Sequence, residues 1–160
     1  MRVHDQGNWM AFVDISTLKN HEDFGFKFKE GTTEPAWDRA HGIYTFRYTE
    51  PVTRWINVDI DGRAPETRAE VDAYIRKLSE HGKHRSTAVI QSSSMRDRFN
   101  RDVFIILDRP WCKGAVWSIN SMPGVPGDIT DFKIKWNSDV EREYYTPSSD
   151  TEISGEYIDS

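Results

Sequence analysis

The sequence predicts an α/β fold, a single domain of βα units over residues 8–136. Between residues 43 and 120 the segments follow the order strand, helix, strand, helix, strand, which produces parallel sheets through right-handed crossovers. Residues 9–15 form an apolar run without alternation, which is typical of a strand buried on both faces. A chain of 160 residues is also long enough for one domain with its own hydrophobic core.

The next predicted strand, residues 43–49, has two chemically different faces. Its three aromatic residues alternate with smaller or polar ones, and successive side chains of a strand point to opposite sides. In a barrel of parallel strands, Arg47 would reach a polar site in the lumen. The alternative is an α+β fold, in which residues 43–60 form an antiparallel hairpin.

The most regular pattern in the chain predicts a helix between Thr67 and Gly82. Thr67 followed by Glu70 three residues later is a capping box, and a glycine after the last turn is a common helix end. Four apolar residues recur at the i, i+3, i+4 and i+7 positions and form one apolar stripe. They are Val71, Tyr74, Ile75 and Leu78.

Shorter patterns predict the elements that follow this helix. Residues 87–91 are rich in β-branched side chains and predict a strand. Residues 95–108 have apolar side chains at roughly helical spacing and predict a second helix, with a strand over 103–107 as the alternative. Residues 114–120 predict another strand, and residues 131–136 predict an edge strand with its lysines outward.

The last segment, residues 137–160, is acidic, rich in serine and threonine, and without apolar periodicity. Such a segment buries too little apolar surface to offset the entropy lost on ordering the chain. We therefore predict an acidic, disordered C-terminal tail.

Composition excludes several classes of partner. The net charge of −5 provides no field that would attract nucleic acid or an anionic membrane. No stretch has the pattern of a signal peptide or the roughly 20 apolar residues of a membrane span, so we predict a soluble protein of unknown compartment. The lone Cys112 cannot close an intramolecular disulfide, and we expect it to be a small buried residue.

Polar residues follow each predicted strand. They are Asp14–Ser16, Glu50, Ser92 with Ser93, and Asn120. In parallel sheets, ligands bind at the carboxyl ends of the strands. The sequence therefore predicts a ligand site where these strand ends converge.

Two segments resemble those of (β/α)-barrel glycoside hydrolases. They are HGIYTFRYTEP at residues 41–51 and PWCKGAVWSIN at residues 110–120, and the resemblance spans residues 8–136. A complete barrel needs about 250 residues, so this chain would supply part of one or form a smaller α/β domain. A part-barrel exposes sheet edges, which predicts self-association.

The resemblance implies a carbohydrate or other small polar ligand, and hydrolysis of a glycosidic bond by two carboxyl groups. Glu50 is the candidate acid, because an apolar and aromatic setting would raise its pKa. Its carboxylate partner would be Asp14 or Asp59. The residues expected to bind the sugar are Arg47, Trp55, Trp117 and Asn120.

No metal or cofactor is predicted. Residues 57–62 imitate the first half of an EF-hand loop, but Arg68 stands where the loop needs a glutamate. Two other functions stay open: a non-catalytic binding domain that stacks sugars or other small molecules on Trp55, Trp111 or Trp117, and an assembly subunit whose exposed strands need a partner.

Overall fold

The computed structural model describes residues 9–82 and 84–159, without the side chain of His84. The described chain forms two compact units. The first contains the residues up to Thr49 together with Trp136–Asp159, and the second contains Glu50–Lys135. The predicted domain start at residue 8 lies outside the described residues, and a single domain over residues 8–136 stays a prediction.

The first unit is built on a four-stranded parallel sheet. Its strands, in the spatial order β1-β2-β3-β7, are β1 (Trp9–Ala11), β2 (Phe26–Glu30), β3 (Tyr44–Thr49) and β7 (Gly155–Ile158). Its α-helices are α1 (Pro35–Ala40) and α5 (Ser138–Tyr144). Ala11, Ile15 and Ile43 form a small core against which Trp37 packs.

The second unit contains a three-stranded antiparallel sheet and three helices. The strands, in the order β4-β6-β5, are β4 (Thr53–Asn57), β5 (Phe104–Arg109) and β6 (Cys112–Ser118). The helices are α2 (Arg68–Glu80), α3 (His84–Ser93) and α4 (Asp131–Lys135). The core of this unit consists of Val71, Ile90, Ala115, Trp117 and Ile119.

The predicted helix after Thr67 is confirmed as α2. The Thr67 hydroxyl accepts the Glu70 backbone N–H at 3.3 Å, and the Glu70 carboxylate accepts the Thr67 N–H at 3.0 Å. These two bonds satisfy donors that a helix start leaves unpaired. Val71, on the predicted apolar stripe, is fully buried. Cys112 is also buried, as expected.

The chain thus combines α-helices with one parallel and one antiparallel sheet, and the alternative hairpin over residues 43–60 is wrong. β3 pairs in parallel with β2 and β7, whereas β4 pairs with β6 in the other sheet. Alternation of side chains along the sequence predicts each strand, but tertiary packing determines which neighbouring strand it pairs with.

Three predicted elements after residue 86 have the wrong type. Residues 87–91 lie in α3, because Thr87, Val89 and Ile90 are buried as parts of a helix and burial overrides β-propensity. Residues 104–109 form a strand rather than a helix, in agreement with the alternative. Residues 131–135 form α4 rather than an edge strand, and the Thr130 hydroxyl caps it by accepting the Lys133 N–H at 3.3 Å.

The predicted disorder of residues 137–160 is wrong within the described part of this segment, which ends at residue 159. The Asn137 side chain caps α5 by accepting two backbone N–H groups at 3.0 and 3.1 Å. Strand β7 adds to β3 over four residue pairs, and Ile153 is buried. Backbone pairing and polar contacts order this segment although its composition offers few apolar side chains.

Among the described residues, no helix has both the length and the apolar character that crossing a bilayer requires.

Candidate ligand-binding face

One face of the parallel sheet carries five aromatic side chains. The register aligns Phe28 with Tyr44 and aligns Tyr48 with Tyr157, and alternation along each strand places these rings on the same side. We call this surface the aromatic face. Its members are Phe28, Tyr44, Phe46, Tyr48 and Tyr157.

The rings of the aromatic face contact one another, and two of them are exposed to solvent while the other three are half-buried. Ring centroids lie 5.9 Å apart for Phe28 and Tyr44, 5.8 Å for Phe28 and Phe46, and 6.0 Å for Tyr48 and Tyr157. Tyr44 is 56% exposed and Tyr48 is 36% exposed. Parallel sheets are usually buried on both sides, so an exposed group of rings on one side indicates a binding surface.

Gly155 leaves room beside the Phe46 ring. Gly155 is paired with Phe46 in the sheet, and a methyl group at this position would lie 3.4 Å from the ring carbon Cε1. Because Gly155 has no side chain, no group at this position covers the Phe46 ring.

The opposite face of the same sheet holds the basic side chains. Arg47 donates to Glu156, with its Nη2 at 2.8 Å from Oε1 and its Nε at 3.1 Å from Oε2. The Tyr145 hydroxyl donates to the same carboxylate, and burial followed by this hydrogen bond raises the pKa of Tyr145 to about 12. The Arg47 guanidinium is therefore bound by the Glu156 carboxylate on the face of the sheet opposite the aromatic face.

Two carboxylates lie on the aromatic face. Glu30 is aligned with Phe46, and Asp159 follows β7 and accepts the Tyr48 hydroxyl at 3.1 Å. Burial, and then the negative charge of Asp159, raise the pKa of Glu30. The Glu30 carboxylate has no hydrogen-bond or ion-pair partner among the residues that the structure describes. The exposed rings therefore lie beside two acceptors of like charge.

Of the predicted site residues, Asp14 lies in the first unit with structural partners. Its carboxylate accepts the Thr33 hydroxyl, and Oδ1 lies 3.5 Å from the Lys29 ammonium. The Asp14 carboxylate therefore has a structural role, since it lies beside the buried Lys29 ammonium.

The other two predicted carboxylates belong to the second unit. Glu50 follows β3, and its backbone carbonyl accepts the Lys135 ammonium; burial and then the charge of Glu50 raise the pKa of the Cys112 thiol. Asp59 accepts the Gly62 backbone N–H at 2.6 Å and so closes a turn. The catalytic roles of Glu50 and Asp59 stay predictions.

The predicted sugar-binding residues of the second unit differ in accessibility. Trp117 is buried and packs against Phe104 with ring centroids 5.2 Å apart, so it has no exposed ring face for a ligand. Trp55 is exposed. Asn120 is exposed, and its side-chain oxygen accepts the Met122 N–H at 3.1 Å.

Sequence reasoning missed Glu30, Tyr157 and Asp159. The spacing of Phe24, Phe26 and Phe28 already indicated a short strand with rings on one side, and that signal would have included Glu30. No local pattern indicated that residues 155–158 would form a strand, since they lie in the segment that composition assigned to a tail.

No group of three or more His, Cys, Asp and Glu side chains suited to a metal ion occurs within the described ranges. Comparison with protein-family models, curated proteins and solved structures gives no match to this chain.

Proposed function

We propose that the aromatic face binds carbohydrate. The observation that carries this proposal is the exposure of Tyr44 and Tyr48 beside the carboxylates of Glu30 and Asp159. The C–H faces of a sugar ring pack against aromatic rings, while carboxylate and phenol oxygens are suited to its hydroxyl groups. We propose this surface as the sugar-binding site instead of Trp55, Trp117 and Asn120. Sugar binding at this surface does not require a (β/α) barrel.

The charges of the chain support a small polar ligand over a polyanion. The net charge is −5, and the acids on the aromatic face would repel phosphate groups. Arg47, which could have attracted an anion, is ion-paired on the opposite side of the sheet.

Replacing Tyr44 and Tyr48 together by alanine is expected to weaken oligosaccharide binding by roughly 5- to 150-fold, because two aromatic contacts of roughly 0.5–1.5 kcal/mol each are lost. Isothermal titration with gluco-, xylo- and chito-oligosaccharides measures it. The matched control is Phe99→Ala, which removes a ring that is 61% exposed in the second unit. Equal affinity of the double variant and the parent, or no binding by the parent, would contradict the proposal.

Hydrolysis of the bound glycan is a second candidate function, favoured by the raised pKa of Glu30 beside Asp159. The charge of Asp159 acts on the Glu30 carboxyl group, although Asp159 lies beyond Gly155, the residue aligned with Glu30 through Phe46. An inverting glycosidase uses two such carboxyl groups, one protonated and one charged. Glu30 would protonate the glycosidic oxygen as the bond breaks, while water attacks the anomeric carbon and loses a proton to Asp159.

Glu30→Gln is then expected to abolish sugar release while leaving affinity within about twofold, because the amide cannot donate the acid proton. The rate should also fall as the pH rises through the pKa of Glu30. A reducing-end assay measures turnover, and Glu50→Gln is the comparison variant. Full turnover by Glu30→Gln would remove this assignment, and loss of turnover only in Glu50→Gln would restore the sequence-based one.

A further inference from the structure

One face of the antiparallel sheet packs against helices, and the opposite face is exposed. Ala115 and Trp117 of β6 lie in the core with Val71 of α2 and Ile90 of α3, so alternation along the strand turns Val116 to the other side. We call this other side the open face. Its apolar members are Trp55, Val103, Ile105, Leu107 and Val116. We infer that two copies of this chain associate through the open face, independently of the proposed function.

The sequence of β5 is apolar on both sides of the sheet. Phe104 and Ile106 pack against the core, whereas Ile105 between them is 60% exposed. A strand that is apolar on both sides is typical of a strand that is buried on both sides. The pattern therefore indicates that a further apolar layer covers Ile105 in the assembled protein.

The register places three apolar residues in one row across the open face. Trp55 of β4 is aligned with Val116 of β6, and Val116 is aligned with Ile105 of β5. Trp55 is 41% exposed, and Val103 on the same side is exposed as well. A contiguous exposed apolar surface of this kind marks an interaction site.

The charge pattern favours a second copy of the chain as the partner. The other positions of the open face are uncharged; they are Thr53, Asn57, Gly114 and Ser118. Two copies that each carry a net charge of −5 repel one another where charged surfaces meet. The core of an interface is depleted of charged residues, and an uncharged apolar face is complementary to an identical one.

A two-fold axis that runs along β6 gives the two open faces a regular contact. An axis beneath Val116 places Trp55 of each copy opposite Ile105 of the other. A large side chain then meets a smaller one on both sides of the axis, which suits two sheets packed about 10 Å apart. An axis across the strands would instead set the two Trp55 rings against each other and leave a gap at Ile105.

The size of the open face determines how tightly two copies bind. Three strands at about 4.8 Å spacing and five residues at about 3.4 Å each give it less area than the roughly 800 Å² that each partner buries in a standard interface. We therefore expect reversible association, with a dissociation constant in the micromolar range.

Sedimentation velocity of the full chain tests the inference over concentrations from about 5 to 500 µM. The mass should rise with concentration from that of one chain towards that of two. Ile105→Glu and Trp55→Lys should each weaken association at least about tenfold, because each buries an unpaired charge. The matched control is Ile158→Glu, the same change at an isoleucine that is 63% exposed in the first unit, and it should associate like the parent.

An equimolar mixture of Trp55→Lys and Ile105→Glu tests the two-fold arrangement. In a mixed dimer the two introduced charges lie opposite each other on one side of the axis, and the parent contact remains on the other side. The mixture should therefore dimerise at concentrations where neither variant does so alone.

Three results would overturn the inference: a parent that is monomeric at every concentration, an Ile105→Glu variant that associates as well as Ile158→Glu, or a mixture that stays monomeric. Both open-face substitutions are at exposed positions, so each variant should keep the thermal stability of the parent. Because sedimentation is done without sugar, these results leave the proposed carbohydrate binding to its own test.

Discussion

Lys29→Met is expected to destabilise the protein by about 3–5 kcal/mol, because it leaves a buried carboxylate without its counter-ion. Lys29 is 1% exposed and Asp38 is 0% exposed. Their charged atoms lie 2.5 Å apart, and the Lys29 ammonium also donates to the Thr33 carbonyl. The cost of burying two charges is thus compensated by the contacts that each of them makes.

The buried, charged carboxylate of Asp38 is stabilised mainly by its ion pair with Lys29. Its Oδ2 accepts the Thr45 hydroxyl at 2.8 Å, but its Oδ1 is buried with no hydrogen-bond partner in the described part of the chain. Without Lys29, one hydrogen bond from Thr45 would remain for a carboxylate out of reach of water. A charge in that condition is far less stable than the ion pair.

Urea denaturation measures this effect, with Lys27→Met as the matched control. Lys27 lies on the same strand and is exposed, so its replacement should change stability by less than roughly 0.5 kcal/mol. The double variant Lys29→Met with Asp38→Leu should be more stable than Lys29→Met alone, because no unpaired charge remains. Similar stabilities of the two lysine variants would show that the pair contributes little.

Gly114→Ala is expected to cost roughly 3 kcal/mol, at the upper end of the range for overpacking. Gly114 of β6 is paired with Asn57 of β4. A methyl group at this glycine would overlap the Ile56 carbonyl oxygen and lie 2.7 Å from the Val58 nitrogen. Both obstacles are backbone atoms, so no side-chain rotation can relieve them.

The strands are held together tightly at this point. The Val58 N–H donates to the Lys113 carbonyl at 2.9 Å, and the Lys113 N–H donates to the Asn57 side chain at 3.2 Å. Inserting a methyl group would stretch these bonds and displace Val58, which is fully buried.

Thermal and urea unfolding test this prediction beside Gly124→Ala. A methyl group at Gly124 meets no atom within 4 Å, so that variant should retain the parent stability. If the two alanine variants unfold alike, β4 and β6 can separate at little cost, and the close approach at Gly114 does not limit stability.

The candidate site was predictable only in part. Alternation in β3 identified a strand with aromatic rings on one side, which is how Tyr44 and Tyr48 come to share a face. The emphasis on Glu50 and Asp14 followed from their positions after strands, but position along the chain does not say which acids share a surface. Glu30 and Asp159 lie on the same face because β2 and β7 both pair with β3.

What the sequence determined by itself is local. The capping box and apolar stripe of α2 involve residues three to seven positions apart, and the alternation of β3 repeats every two residues, so both are present in any short window. Only the tertiary structure decided that residues 84–93 are helical and that β7 joins β3, where Arg47 meets Glu156 across 109 positions. These outcomes depend on burial and on backbone hydrogen bonds between distant segments, and no short window of sequence contains them.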